Sequence, residues 1–167
     1  INPNRFDEES KLGYLSAAGV CFLTLVALDR KLRENNIKSN VDLKLYLDLV
    51  ALATICDVVP LRFLNRAFVS TGLKVMGWRQ NHGLKALFDL SNLREIPNEQ
   101  NLGYIIGPRI NAAGRLGNSN LGVQLLCCNS EVEASVIADK LNQLNEKRKN
   151  IQNSVLESAI DKLNKVD

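Results

Sequence analysis

At 167 residues, with 46% apolar and 23% charged side chains, the chain has an ordinary globular make-up and room for one sizeable core. No apolar run approaches the roughly 20 residues that cross a bilayer, which excludes a membrane-spanning helix. Net charge is only +3, but residues 58–130 carry eight basic and three acidic groups while the flanking thirds are near neutral.

No Asp or Glu occurs from Val58 to Phe88, where Arg62, Arg66, Lys74, Arg79 and Lys85 lie, nor from Gln100 to Ser130, where Arg109 and Arg115 lie. That imbalance suits a polyanion partner, or else marks a solvated basic face. The four cysteines (Cys21, Cys56, Cys127 and Cys128) lack CxxC spacing, and His82 is the one histidine. A zinc site is not expected. Free core thiols in a reducing, cytoplasmic compartment are. The opening Ile1-Asn-Pro-Asn-Arg5 has neither an initiating Met nor signal-peptide character and reads as cut from something longer.

In chain order, residues 1–13 read as a loop entry with an acidic cluster at Asp7, Glu8 and Glu9. Leu15 to Glu34 is an apolar helix with Ser16 as N-cap. Its broad apolar surface, including Phe22, Leu25, Val26 and Leu28, predicts burial on more than one side. After a polar turn at 35–40, a second helix is predicted over Val41–Ile55, with Asp42 in its first turn and Leu45, Leu49 and Leu52 on one face.

Pro60 stops that pattern. It leaves Asp57 at a helix C-terminus among apolar neighbours, the wrong pole of the helix for an anion. Two readings of Asp57 stand: a carboxylate that needs a cation or metal, or an exposed helix terminator. Leu64–Val75 reads as a third helix carrying Arg66 and Lys74. Trp78 and Arg79 then form either a base-stacking surface or a turn anchored to the core. His82 reads as a cap or surface residue before a short helix over Gly83–Leu90, followed by a loop at Ser91–Pro97.

Glu99–Ile106 leads helically into Gly107-Pro-Arg-Ile-Asn-Ala-Ala-Gly-Arg-Leu-Gly117. This stretch reads as a rigid anion-binding turn whose Arg109 and Arg115 aim at one place, with Pro108 suited to open a helix. The competing reading is an interhelical turn whose arginines cap helices or pair with local acids. Ser119–Cys128 is a short helix capped by Asn118 or Ser119. Ser130-Glu-Val-Glu133 has the capping-box pattern, and an unbroken helical pattern runs from there to about Val166. Such a helix would be about 50 Å long, too long for burial in a domain of this size. Strand signals are poor, so a mainly α fold is expected.

Three segments together resemble the RecJ-type exonucleases of the DHH phosphoesterase superfamily. Ile1-Asn-Pro-Asn4 resembles the segment after the family's Asp-His-His motif. Leu47-Asp-Leu-Val-Ala-Leu-Ala-Thr-Ile-Cys-Asp57-Val-Val-Pro-Leu61 with Asn65-Arg66 resembles its last metal-ligand motif, and Gly107–Leu116 the segment closing its catalytic domain.

The resemblance implies that residues 1–129 are the helical C-terminal portion of an α/β catalytic domain. Residues 130–167 would then be a long connecting helix leading to a second domain. It also implies metal-dependent 5′ to 3′ hydrolysis of single-stranded DNA in repair and recombination, with Asp57 as catalytic metal ligand for Mn²⁺ or Mg²⁺. Water activated by the metal would attack the phosphodiester. Arg109, Asn111 and Arg115 would hold backbone phosphates, with Asn65, Arg66, Trp78 and Arg79 as secondary candidates.

The family's other aspartate and histidine motifs are absent here, so the chain alone is expected to be inactive. It is also expected to self-associate through an apolar face that the family's sheet covers. The alternatives are a DHH phosphodiesterase of short oligonucleotides or cyclic dinucleotides, and a non-catalytic helical nucleic-acid-binding module.

Overall fold

The computed structural model describes residues 1–164, which form seven α-helices and no strand among them. The end of the long helix expected near Val166 lies outside the described residues. The chain divides into two compact units, one of residues 1–79 and 95–103, the other of 80–94 and 104–167.

The first unit holds α1 (Ala17–Glu34), α2 (Leu47–Cys56) and α3 (Phe63–Gly77). Ser16 caps α1 as expected. Its Oγ accepts from the Gly19 amide at 3.2 Å and shares a buried hydrogen bond of 3.1 Å with the Thr54 hydroxyl of α2. The core joins Leu15, Phe22, Leu47, Val50, Phe68 and Val75, with Phe22 and Phe68 edge to face at 5.4 Å. Gly72 of α3 lies so close to α2 that an added Cβ would overlap the Leu47 carbonyl and the Ala51 methyl.

Three expectations need correction here. The single helix over 41–55 is a 3₁₀ turn, Leu43–Tyr46, followed by α2, and Asp42 is the N-cap of that turn, accepting from the Lys44 amide at 3.0 Å. Leu45, Leu49 and Leu52 therefore do not share one buried face. The α2 segment is apolar all round and buries Leu47, Asp48, Val50, Ala51, Leu52 and Thr54. Burial pushes the Asp48 carboxyl up to about 6. Finally, α1 is not buried on several sides: only Gly19 and Phe22 are buried in it, while Leu25, Val26 and Leu28 are exposed.

The second unit holds α4 (His82–Leu90), α5 (Gly107–Arg115), α6 (Asn120–Leu126) and α7 (Glu131–Leu163). Asn81 caps α4: its Oδ1 accepts from the Leu84 amide at 2.9 Å, while its Nδ2 donates to the Leu126 carbonyl at 3.0 Å. His82 is thus the first residue of α4 and not its cap. Ser130 Oγ accepts from the Glu133 amide at 3.4 Å, the first half of the expected capping box. Ser119 precedes α6 without making a capping bond.

Ala134, Ile137, Ala138 and Leu141 of α7 are buried, and α4, α5 and α6 pack on that half of the helix. From Asn150 to Leu163 every residue of α7 is exposed, as its length required. No described helix is long and apolar enough to cross a membrane. The cysteines are free but not core residues: Cys21 and Cys127 are exposed, Cys56 and Cys128 half-buried.

Candidate nucleic-acid and metal site

Asp57 is the C-cap of α2. Its amide donates to the Ala53 carbonyl at 2.9 Å, and its side chain is exposed. The carboxylate makes no hydrogen bond or ion pair with the described residues, and it stands at the pole of the helix that disfavours an anion. The next residue, Val58, has φ +55 and is 87% exposed. Helices that end this way place glycine at that position. A β-branched residue there stores strain of about 1–2 kcal/mol, and Val58 has no internal packing to offset it. Phe63, at the far end of the turn, is also left-handed, with φ +49.

The turn is held from below by Asn65. This side chain is completely buried. Its Nδ2 donates to the Tyr14 carbonyl at 2.8 Å and to the Pro60 carbonyl at 3.0 Å. Its Oδ1 is buried without a partner, a cost of about 1–3 kcal/mol for an unsatisfied acceptor. Pro60 O also accepts from the Arg62 amide at 2.9 Å. Asn65 therefore cannot contact a nucleic acid as the sequence suggested; it fastens α3 to the Asp57 turn and to the entry of α1.

Cys56, beside Asp57, is half-buried. Burial first, and the Asp57 carboxylate second, push its thiol up to about 11. Replacing Val58 with glycine is expected to stabilise the chain by about 1 kcal/mol, read as a higher melting temperature, because glycine adopts φ +55 without strain. A lower melting temperature would contradict the strain.

Arg66 is exposed on α3, beside a groove of about 370 Å³ lined by Leu61, Val69, Ser70, Leu73 and Glu99. Trp78 is the C-cap of α3 and 59% exposed. Arg79 follows it at φ +54 and is half-buried. Among the described residues no three His, Cys, Asp or Glu side chains gather as a metal site. Asp57 fits one hard oxygen ligand of a divalent cation, and the described residues gather no cage of three or more such side chains.

In the second unit, Gly107–Arg115 is the helix α5 and not a turn. Pro108 sits in its first turn, as its fixed φ favours. The six residues before it, Asn101–Ile106, form a π-helix, a widening that accommodates a ring lacking the N–H an α-helix needs.

The helical course separates the two arginines. Six residues apart on an α-helix, they point about 120° apart. Arg109 is half-buried: its Nε donates to Asn142 Oδ1 of α7 at 3.0 Å and its Nη1 to the Ile105 carbonyl at 2.7 Å. Asn111 and Arg115, four residues apart, share the opposite side and are both exposed. Gly114 is exposed beside them, with open space where a Cβ would be. The structure thus pairs Asn111 with Arg115 and gives Arg109 to the α5–α7 contact, while Asp57, Asn65, Arg66, Trp78 and Arg79 lie in the other unit.

No protein-family model matches the chain. Against the single-stranded-DNA-specific exonuclease RecJ of Escherichia coli it is 38% identical over 176 residues, covering 100% of this chain and 30% of that protein. A crystal structure of RecJ bound to manganese superposes with a TM-score of 0.80 at 31% identity, over 95% of this chain and 38% of that one. The chain belongs to the RecJ family. RecJ from Thermus thermophilus, solved in complex with Mg²⁺, matches with a TM-score of 0.73 at 30% identity, over 93% of this chain and 23% of that one. The likeness spans both units, so the helical fold is that of a part of RecJ. The chain spans 28–30% of the length of the first curated RecJ relatives it matches.

The sequence missed two features of the site. Val58 gives no signal, because a strained φ is invisible in composition. Asn65 was noticed for its place in a motif, but its amide works inward.

Proposed function

We propose that the chain works within a longer RecJ-type enzyme that degrades single-stranded DNA from 5′ to 3′ in repair and recombination in the cytoplasm. Residues 1–129 belong to its catalytic domain and 130–167 to a helix that connects to another domain. The observation that carries this reading is the Asp57 carboxylate, exposed and without a partner at the end of a strained, clamped turn. Mn²⁺ or Mg²⁺, when bound, supplies Lewis-acid chemistry and an acidified water. Asp57 contributes one oxygen ligand. Arg115 and Asn111 hold backbone phosphates from the exposed side of α5. Arg109 holds that helix against α7, so its part is orientation, with Arg66, Trp78 and Arg79 as further strand contacts.

In the full-length enzyme, Arg115→Ala is expected to weaken single-stranded DNA binding about fivefold and to lower the slope of log affinity against log salt by about 0.7, because one phosphate contact is lost. Fluorescence anisotropy over a salt series reads both, and an unchanged slope would contradict a phosphate role for Arg115.

One observation favours a second reading, a nucleic-acid-binding module without catalysis: among the described residues no three His, Cys, Asp or Glu side chains gather as a metal site. Under either reading this chain by itself is inactive. By itself it is also expected to self-associate through the uncovered Leu25, Val26 and Leu28 of α1. Sedimentation velocity checks this, and a strict monomer at high concentration would contradict it.

A further inference from the structure

The turn that carries Asp57 closes α2 with a left-handed residue, as Asn36, Arg79 and Asn92 do after α1, α3 and α4, but here that residue is β-branched. Two of its residues, Val58 and Phe63, are left-handed without being glycine, and both side chains are exposed. Packing does not hold Val58 in this conformation, while the Phe63 ring lies 5.8 Å from that of Tyr14. Beside the backbone bond from the Arg62 amide to the Pro60 carbonyl, one side-chain amide underneath ties the turn to the rest of the unit. Asn65 Nδ2 ties the Pro60 carbonyl, in the middle of the turn, to the Tyr14 carbonyl just before α1, while Asn65 Oδ1 goes unpaired in a fully buried site. An amide kept with one end unsatisfied is kept for the two bonds its other end makes. Those bonds stop the turn from relaxing and so fix the direction in which Asp57 leaves α2. Strain held by surrounding structure at such a position is the mark of a preorganised site.

We propose that Asn65 is a positioning residue for Asp57, holding the strained 57–63 turn so that the carboxylate is preset for a divalent cation. The inference rests on the metal-ligand reading of Asp57 and adds to it the residue that aims the ligand. Asn65 touches neither metal nor DNA. Its removal should therefore act on metal affinity and leave strand affinity alone, a separation that general unfolding would not produce.

The test uses the full-length enzyme, with Mn²⁺ binding followed by electron paramagnetic resonance without DNA, and single-stranded DNA binding followed by anisotropy without metal. Asn65→Asp keeps the shape and removes the donor. It is expected to weaken Mn²⁺ binding about tenfold, as loss of a support behind a metal ligand does, with DNA affinity within about twofold. Hydrogen exchange at the Val58 and Arg62 amides is expected to speed up in the same variant.

Val58→Gly is the fold-safe companion. Glycine accepts the left-handed conformation without strain, so this variant should melt no lower than wild type and gives a more stable background in which to place Asn65→Asp. Wild-type Mn²⁺ affinity in folded Asn65→Asp would overturn the proposal. If Asn65→Asp does not fold alone, Mn²⁺ affinity in the Val58→Gly/Asn65→Asp double variant equal to that of Val58→Gly would overturn it instead. Asp57→Ala runs beside them: should it keep Mn²⁺ binding, the metal reading itself fails, and this inference with it.

Discussion

Gly72→Ala is expected to destabilise the chain by about 3 kcal/mol or more, a large part of the stability of a domain this size. In an exposed helix the same change would gain up to about 1 kcal/mol. Here the sign reverses because α3 lies against the backbone of α2. The new Cβ would overlap the Leu47 carbonyl and approach within 2.5 Å of the Ala51 methyl. Neither is the end of a flexible side chain, so the helices must separate. Separation would open the core around Val50, Val75 and Phe68.

The consequence reaches the site, since α2 ends in Asp57 and α3 carries Asn65. Urea denaturation of the variant should show a lower midpoint, and in the full-length enzyme Mn²⁺ binding should weaken as well. A midpoint equal to wild type would show that the two helices are not in the contact described. Gly114, with nothing near its missing side chain, has no such internal demand for glycine.

Much of the fold was legible because local chemistry and packing agree in it. Ser16 before an apolar run, the Ser130-to-Glu133 spacing and the long pattern without Gly or Pro all mark helices that the structure keeps. The second helix was misread because Leu43–Tyr46 has the same apolar rhythm as α2 while taking the tighter 3₁₀ course.

The glycine-rich stretch was misread for a different reason. Glycine and proline usually punctuate, but here Ala112 and Ala113 are buried and Arg109 reaches Asn142, so tertiary packing overrides the local preference and the segment stays helical. That helical course is also why the two arginines diverge. Asp57 was legible as an odd acid at the wrong helix pole. The device that aims it was not, because left-handed valine and an inward amide leave no periodic trace in sequence.

The second large effect concerns Asp57 itself. Asp57 is the one acid within the 57–63 turn, and among the described residues no three His, Cys, Asp or Glu side chains gather as a metal site. Alanine at this exposed position removes the donor with little disturbance to packing. With Asp57 the metal ligand proposed above, its loss should lower catalysis by about a thousandfold or more while the melting temperature stays near wild type. The measurement is release of mononucleotides from 5′-labelled single-stranded DNA by the full-length enzyme with Mn²⁺, wild type beside Asp57→Ala, each checked for folding by thermal melting. The expected result is loss of activity in a folded variant. Unchanged activity would make Asp57 an ordinary helix terminator and leave the chain as a helical nucleic-acid-binding module.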